Sequence, residues 1–203
     1  MILKILQVGD PVLRAMARPL DAEQLRSPRL HLLVEMMRLT MLDAPGVGLA
    51  APQIGESLQL VVIEDPAPVV AALTPEERAA RQRAPVPFHV FVNPRLRVID
   101  PTPLEFFEGC LSVAPFLALV PRAAAVHVDA LDAEGNPVSI DAHGWYARIL
   151  QHEIDHLNGV LCIDHMRTRS LTTRANHERF WSGIAPEAVK RALGIEVAGG
   201  VNG

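Results

Sequence analysis

The sequence predicts an α+β fold, with short antiparallel or mixed sheets packed around one central helix. Three observations carry that expectation. Strand-like runs follow one another from about His89 to Asp141, without the strand–helix alternation of a parallel architecture. Helical spacing of apolar residues appears before and after them. One later helix, about Trp145 to Asn158, puts Trp145, Ile149, His152 and His156 on a single face, as an inward-pointing helix would.

The elements follow in order. Asp10-Pro11 reads as an N-cap with proline at the first helical position, opening a short helix to about Met16. Ser27-Pro28 repeats the signal, and Leu30, Leu33, Val34, Met37 and Met41 follow at helical spacing up to Pro45. Met36 and Met37 read as core filler. The run Gly46-Val47-Gly48-Leu49-Ala50-Ala51-Pro52-Gln53-Ile54-Gly55 is poor helix and poor strand, a connector whose backbone can come close to a neighbour. No Lys-Ser/Thr pair and no helix signal follow, which argues against a phosphate loop. Gln53 is its one side chain able to donate a directed hydrogen bond. The strand Leu58–Glu64 comes next.

From about Asp65 to Pro87 the chain changes character. Prolines bracket a charged stretch with Thr74 as cap and Pro75 at N1, which reads as a surface insertion with a small solvated helix and no catalytic role. Strand signals then cover His89–Val92, Leu96–Ile99, Leu104–Phe107, Leu117–Val120, Ala125–Leu131 and Val138–Asp141, with a hairpin turn over Asp132–Asn136. Alternation along Val126–Leu131 puts His127 and Asp129 on an exposed face, so His127 is not read as a ligand. Gly159 sits where a C-cap glycine belongs. A short apolar strand, Val160–Ile163, follows, then helices over about Thr173–Trp181 and Pro186–Leu193, and a frayed tail, Gly199–Gly203.

At 203 residues the chain suits one domain, 1–203, with the 65–87 insertion and a helical extension over 167–203. Hydrophobic residues make up 49% and charged residues 21%, an ordinary globular balance. A net charge of −4 gives no electrostatic case for nucleic-acid binding. Two cysteines, Cys110 and Cys162, form no disulfide framework and suit a reducing compartment. The N-terminus lacks an apolar signal region and no stretch approaches a membrane span, so a soluble, cytoplasmic protein is expected.

The central helix carries Gln151-His152-Glu153-Ile154-Asp155-His156-Leu157-Asn158-Gly159. His152 and His156, one turn apart, can reach one metal ion, and Glu153 can touch a water there without ligating the metal. Two fixed ligands, an open coordination position and a base suit metal-assisted hydrolysis. A third ligand is needed. The long metalloprotease pattern would place it at Cys162, with His165 out of register. Another protease class would take a downstream Glu178 or Glu187. Upstream, Cys110 in Glu108-Gly109-Cys110-Leu111-Ser112 follows a strand at a glycine and could supply a thiolate. A buried, inert cysteine is the plainer reading for Cys162. Asp155 and Arg122 are candidate orienters of the ligands, or partners in a structural ion pair.

Three segments together, Gly46–Gln53, Glu108–Ser112 and Gln151–His156, resemble in order and spacing the signature motifs of the peptide deformylases, over about Ile5 to Met166. The resemblance implies that Cys110, His152 and His156 hold one divalent metal, Fe(II) in the cell, replaceable by Zn, Ni or Co. It implies Glu153 as general acid/base, with Gln53 and the Leu111 N–H on the oxyanion. The Gly48 backbone, with Val47, would pair with the peptide, and Phe106, Trp145 and Ile149 would line the methionine pocket. The implied activity is removal of the N-formyl group from nascent polypeptides, and the ribosome is a candidate partner. Many bacterial members have a basic residue at the Leu117 position. That change, the insertion and His143–Arg148 look closer to the organellar-type subclass. Two alternatives stand beside this reading: a zinc endopeptidase, resting on H-E-x-x-H alone, and a non-catalytic formyl-peptide-binding paralogue.

Overall fold

Local signals set the N-terminal half. The computed structural model describes residues 1–195; the Gly199–Gly203 tail lies outside them. Asp10 caps a single 3₁₀ turn, Pro11–Arg14, accepting from Val12 N–H, so the expected helix stops early. Helix α1, Ala22–Leu25, opens with a capping box on Asp21 and Gln24 that periodicity did not reveal. Ser27 caps α2, Pro28–Asp43, which buries Leu30, Leu33, Val34, Met37 and Met41 as the spacing predicts.

The glycine-rich connector contains a strand after all: β1, Gly48–Ala50, followed by a 3₁₀ turn over Ala51–Ile54. It pairs antiparallel with β2, Leu60–Asp65. Strand β2 is covered on both faces, hence its unbroken apolar run. Leu60 and Val62 pack with α2, whereas Val61 and Ile63 belong to the core on the other face.

The 65–87 segment holds two helices, α3, Ala67–Ala71, and α4, Pro75–Arg81, the second capped by Thr74 as expected. It is not merely a surface excursion. Val70 and Asp65 are buried, and Arg83 pairs with Asp65 at 2.7 Å.

Three expected strands merge into one, β3, Val86–Gly109, and two more merge into β4, Phe116–Leu131. They pair antiparallel along most of their length, with register shifts between Val92/Arg95, Val98/Asp100 and Asp100/Pro103. The Asp132–Asn136 turn leads to β5, Pro137–His143. Next come α5, Gly144–Leu157, and α6, Cys162–His165, the latter a helical turn where a strand was expected, because Asp164 accepts from Leu161 N–H. Strand β6, Thr172–Thr173, α7, Arg174–Phe180, and α8, Pro186–Leu193, complete the described chain.

The six strands form one antiparallel sheet in the order β1-β2-β3-β4-β5, with β6 on β4. Helix α5 packs on it through Ala147, Ile149, Leu150, Ile154 and Leu157, against Val61, Ile63, Phe91, Val126 and Val128. Each of the Val, Leu, Ile and Phe side chains among them, fully buried, contributes about 1.5–3 kcal/mol. Gly159 ends the helix region at φ +72°, and a Cβ there would lie 2.5 Å from the Arg14 carbonyl oxygen, so only glycine fits. The sheet and α5 together fix the site described next.

Candidate metal centre and active site

Strand β3 delivers Cys110 and α5 delivers two histidines to one buried point. Ligand atoms of Cys110, His152 and His156 lie within 4.8 Å of one another. Cys110 Sγ is 3.3 Å from His156 Nε2. His152 turns its Nδ1 away, to Glu108 Oε1 at 2.6 Å, which leaves Nε2 for a cation. A soft thiolate and two imidazoles suit a divalent transition metal. A buried trio of this kind, open on a cavity, fits such an ion.

Glu108 is the organising carboxylate behind the cluster. Arg122 forks onto it at 2.7 and 3.2 Å, Arg148 donates to it at 2.7 Å, and Arg122 also pairs with Asp155. Two guanidinium groups and two carboxylates thus balance. Burial alone would push the Glu108 carboxyl up, but the His152 hydrogen bond and the Arg122 charge outweigh it and hold it well below the usual carboxylate range. Burial likewise opposes a proton on His152, yet Glu108 raises that histidine to about 9. Burial and the His152 charge push His156 well down, so its imidazole stays neutral. The hydrogen bond with Cys162, then burial, pushes the Cys110 thiol well up; a cation is what makes a thiolate there.

Glu153 is buried, and burial raises its carboxyl to about 7, with Glu108 and Asp155 adding and His152 and Arg122 opposing. Its Oε2 has no hydrogen-bond partner among the described residues. Gly48 lies directly against it: a Cβ at Gly48 would sit 2.3 Å from Glu153 Oε1. Gln53 is also buried. Its Oε1 accepts from Ala50 N–H at 2.8 Å, and its Nε2 donates to Ser112 Oγ at 3.1 Å and points at Cys110 Sγ, 3.7 Å away.

These groups open on a cavity of about 620 Å³. Val47, Gly48, Gln53, Cys110, Leu111, Trp145, Ile149, His152 and Glu153 all line it. Phe106 does not. It stands edge-on to Trp145, ring centres 6.1 Å apart, and its neighbour Phe107 takes the place on the wall, because successive strand residues face opposite ways. The insertion reaches the site as well: Arg83 lines the cavity and lies 5.2 Å from the Trp145 ring centre. Arg148, also missed, was visible as the residue one turn before His152. Ser112 had no separate signal. Cys162 is buried beside Glu108 and His152, not on a strand, and Glu178 and Glu187 stay outside the cluster. His127 is half-buried rather than exposed, paired with Asp129 and Asp141 at 3.1 and 2.5 Å, and does not line the cavity.

An antiparallel sheet holding a helix with H-E-x-x-H, and a cysteine brought to the same point, defines a metal-dependent hydrolase. The family model of polypeptide deformylases matches residues 2–171. Among curated proteins, peptide deformylase 3 of Streptomyces avermitilis is 49% identical over 194 residues, 95% of this chain and 84% of that protein. Human mitochondrial peptide deformylase is 48% identical over 168 residues, 83% of this chain and 69% of that protein. Bacterial and mitochondrial relatives therefore stand equally near. Among solved structures, the Met-Ala-Ser-bound class I type b peptide deformylase of Acinetobacter baumannii superimposes with a TM-score of 0.72 at 33% identity, covering 82% of this chain and 99% of that one. The chain belongs to the polypeptide deformylase family.

Proposed function

We propose a division of labour for deformylation among the residues of this chain. The activity is hydrolytic removal of the N-formyl group from the N-terminal methionine of newly synthesised polypeptides, as formate. The observation supporting the residue roles is the meeting of Cys110, His152 and His156 beside the unpartnered oxygen of Glu153.

A divalent cation held by Cys110, His152 and His156 supplies the Lewis acidity that makes water nucleophilic near neutral pH. Glu153, raised to about 7, takes a proton from water and returns one to the leaving amine, as a group titrating near the working pH can. Gln53 Nε2 and the Leu111 N–H border Cys110 and receive the charge gathering on the formyl oxygen; one such donor is typically worth about 10²–10³ in rate. The backbone of Val47 and Gly48 receives the peptide, and Trp145, Ile149 and Phe107 wall the methionine side chain. Glu108, held by Arg122 and Arg148, positions His152.

We assign Fe(II) as the native ion on family resemblance; the ligand set alone also suits zinc. Residues 1–203 are read as one catalytic unit in the cytoplasm, in keeping with two unpaired cysteines. Among the described residues no helix is long and apolar enough to cross a membrane. A ribosome contact through the helices after Met166 is tested by co-sedimentation of full-length and truncated protein.

The test of the whole reading is formate release from a formyl-Met dipeptide by anaerobically purified protein loaded with Fe(II), Ni(II) or Co(II). Turnover is expected with at least one ion, and Glu153→Ala should abolish it. Cys110→Ala should lose metal. Metal retention by that variant together with internal peptide cleavage would instead make the chain an endopeptidase, and formyl-peptide binding without turnover a non-catalytic paralogue.

A further inference from the structure

Three arginines line the cavity: Arg83, Arg148 and Arg174. Two are neutralised. Arg83 holds Asp65 at 2.7 and 2.9 Å, and Arg148 holds Glu108 at 2.7 Å. The Arg174 side chain makes no hydrogen bond or ion pair with any described residue, and it is exposed. Among the described residues, the rim of the cavity therefore presents one positive charge without a counter-charge.

Its place is fixed by backbone, not by chance on the surface. Strand β6 pairs with the start of β4, Thr173 opposite Phe116 and Thr172 opposite Leu117. The Arg174 N–H then donates to the Pro115 carbonyl at 2.9 Å. Pro115, Phe116 and Leu117 are themselves cavity wall, a few residues after Cys110. A segment more than fifty residues further along the chain thus brings a cation to the mouth of the site.

The direction of a bound peptide follows from burial. Its formyl end must reach Cys110 and His152, which are buried, so the chain beyond the methionine leaves through the opening. An extended peptide advances about 3.3 Å per residue, so the residues after the methionine, not the methionine itself, pass the rim. We propose that Arg174 is a specificity-determining residue that reads a substrate carboxylate two or three residues downstream of formyl-methionine. In a nascent chain that group is an Asp or Glu side chain; in a short peptide it is also the terminal carboxylate. The inference rests on the deformylase reading.

The experiment compares metal-loaded wild type, Arg174→Ala and Arg174→Lys on four peptides: formyl-Met-Ala-Ser, its C-terminal amide, formyl-Met-Ala-Glu-amide and formyl-Met-Ala-Gln-amide. Wild type should favour each anionic member of a pair by about two- to fivefold in KM at low ionic strength, the range of an exposed ion pair, with the preference shrinking in salt. Arg174→Ala should bring both ratios to one, and Arg174→Lys should keep them. Preference for the free acid alone assigns the terminal carboxylate; preference for Glu alone assigns the side chain. Ratios unchanged in Arg174→Ala overturn the proposal while leaving deformylation intact. Absence of formate release from every peptide sinks the deformylase reading instead. In that event, binding of unformylated Met-Ala-Ser and its amide, followed by tryptophan fluorescence, decides on Arg174: equal affinities in wild type overturn it.

Discussion

The α carbon of Gly48 faces the Glu153 carboxylate so closely that an added Cβ would lie 2.3 Å from Oε1 and 2.6 Å from Cδ. The strand proposed to receive the peptide and the base proposed to move its protons are therefore set against each other. Gly48→Ala must push Glu153 aside. A fold near wild type is expected, with kcat lower by about a hundredfold, the usual penalty for a displacement of about 1 Å at a reacting group. Formate release and circular dichroism measure the two effects; an unimpaired rate would show that Glu153 has room to spare.

Glu108 holds His152 Nδ1 at 2.6 Å. Glu108→Gln keeps the shape and removes the charge, leaving Arg122 and Arg148 with less to pair with. Metal affinity should fall about 10–100-fold, as for other carboxylates behind a ligating histidine. Competition with a chelator, followed by metal analysis, reads it directly.

Phe106 and Phe107 separate packing from recognition. Phe107 lines the cavity, and Phe106 packs on Trp145 behind it. Phe107→Ala should raise KM for formyl-Met peptides. Phe106→Ala should act chiefly on stability, by less than the roughly 3–5 kcal/mol of a fully buried Phe, because the ring is half-buried. The opposite pattern, in KM and thermal midpoint, would place Phe106 on the methionine wall.

Glu105 ties the C-terminal helices to the sheet. It accepts from Arg167 at 3.0 and 3.2 Å, and Lys190, buried on α8, lies 3.4 Å away. Burial pushes the Glu105 carboxyl up, but the Arg167 hydrogen bond and the Lys190 charge prevail, so its pKa falls below the ordinary 4.5. A depressed carboxylate stabilises the fold fully above its unfolded pKa, and the contribution is lost as pH drops through the folded value. Glu105→Gln should therefore destabilise the protein at neutral pH, by about 1–3 kcal/mol for the buried lysine left unmatched, and the gap should narrow below pH 4.5. Denaturant melts of both proteins from neutral to acid pH check the sign; a gap that widens in acid would refute it.

How far the sequence foretold these relationships depends on how local each one is. Helix α2 was legible to its boundaries because Ser27, Pro28 and five apolar residues act within one element. The long β3 looks like three strands in the sequence because prolines and bulges around Arg95, Asp100 and Pro103 break the alternation. The same bulges hide the phase of the strand, so Phe106 and Phe107 could not be told apart. The charges of the insertion suggest a solvated face, whereas Arg83 folds inward on the buried Asp65. The motif around His152 points to the helix of the candidate ligands, but Glu108 as an anchor for His152 needs β3 and α5 in contact. Arg174 lay beyond reach altogether, since only the pairing of β6 with β4 places it.

The pair Asp65–Arg83 also sets a boundary on what may change nearby. It closes the base of the α3–α4 excursion, while Gly144, at φ +55°, has no room for a Cβ beside Gln82 and Arg81 and so keeps that end docked on α5. Inside those two anchors, the turn from Ala72 to Thr74 carries neither buried apolar weight nor cavity wall. Because lengthening a surface loop costs only about 0.6 kcal/mol per doubling, it is a natural port for a reporter graft or an affinity handle. A lineage could lengthen the chain here and leave its chemistry untouched.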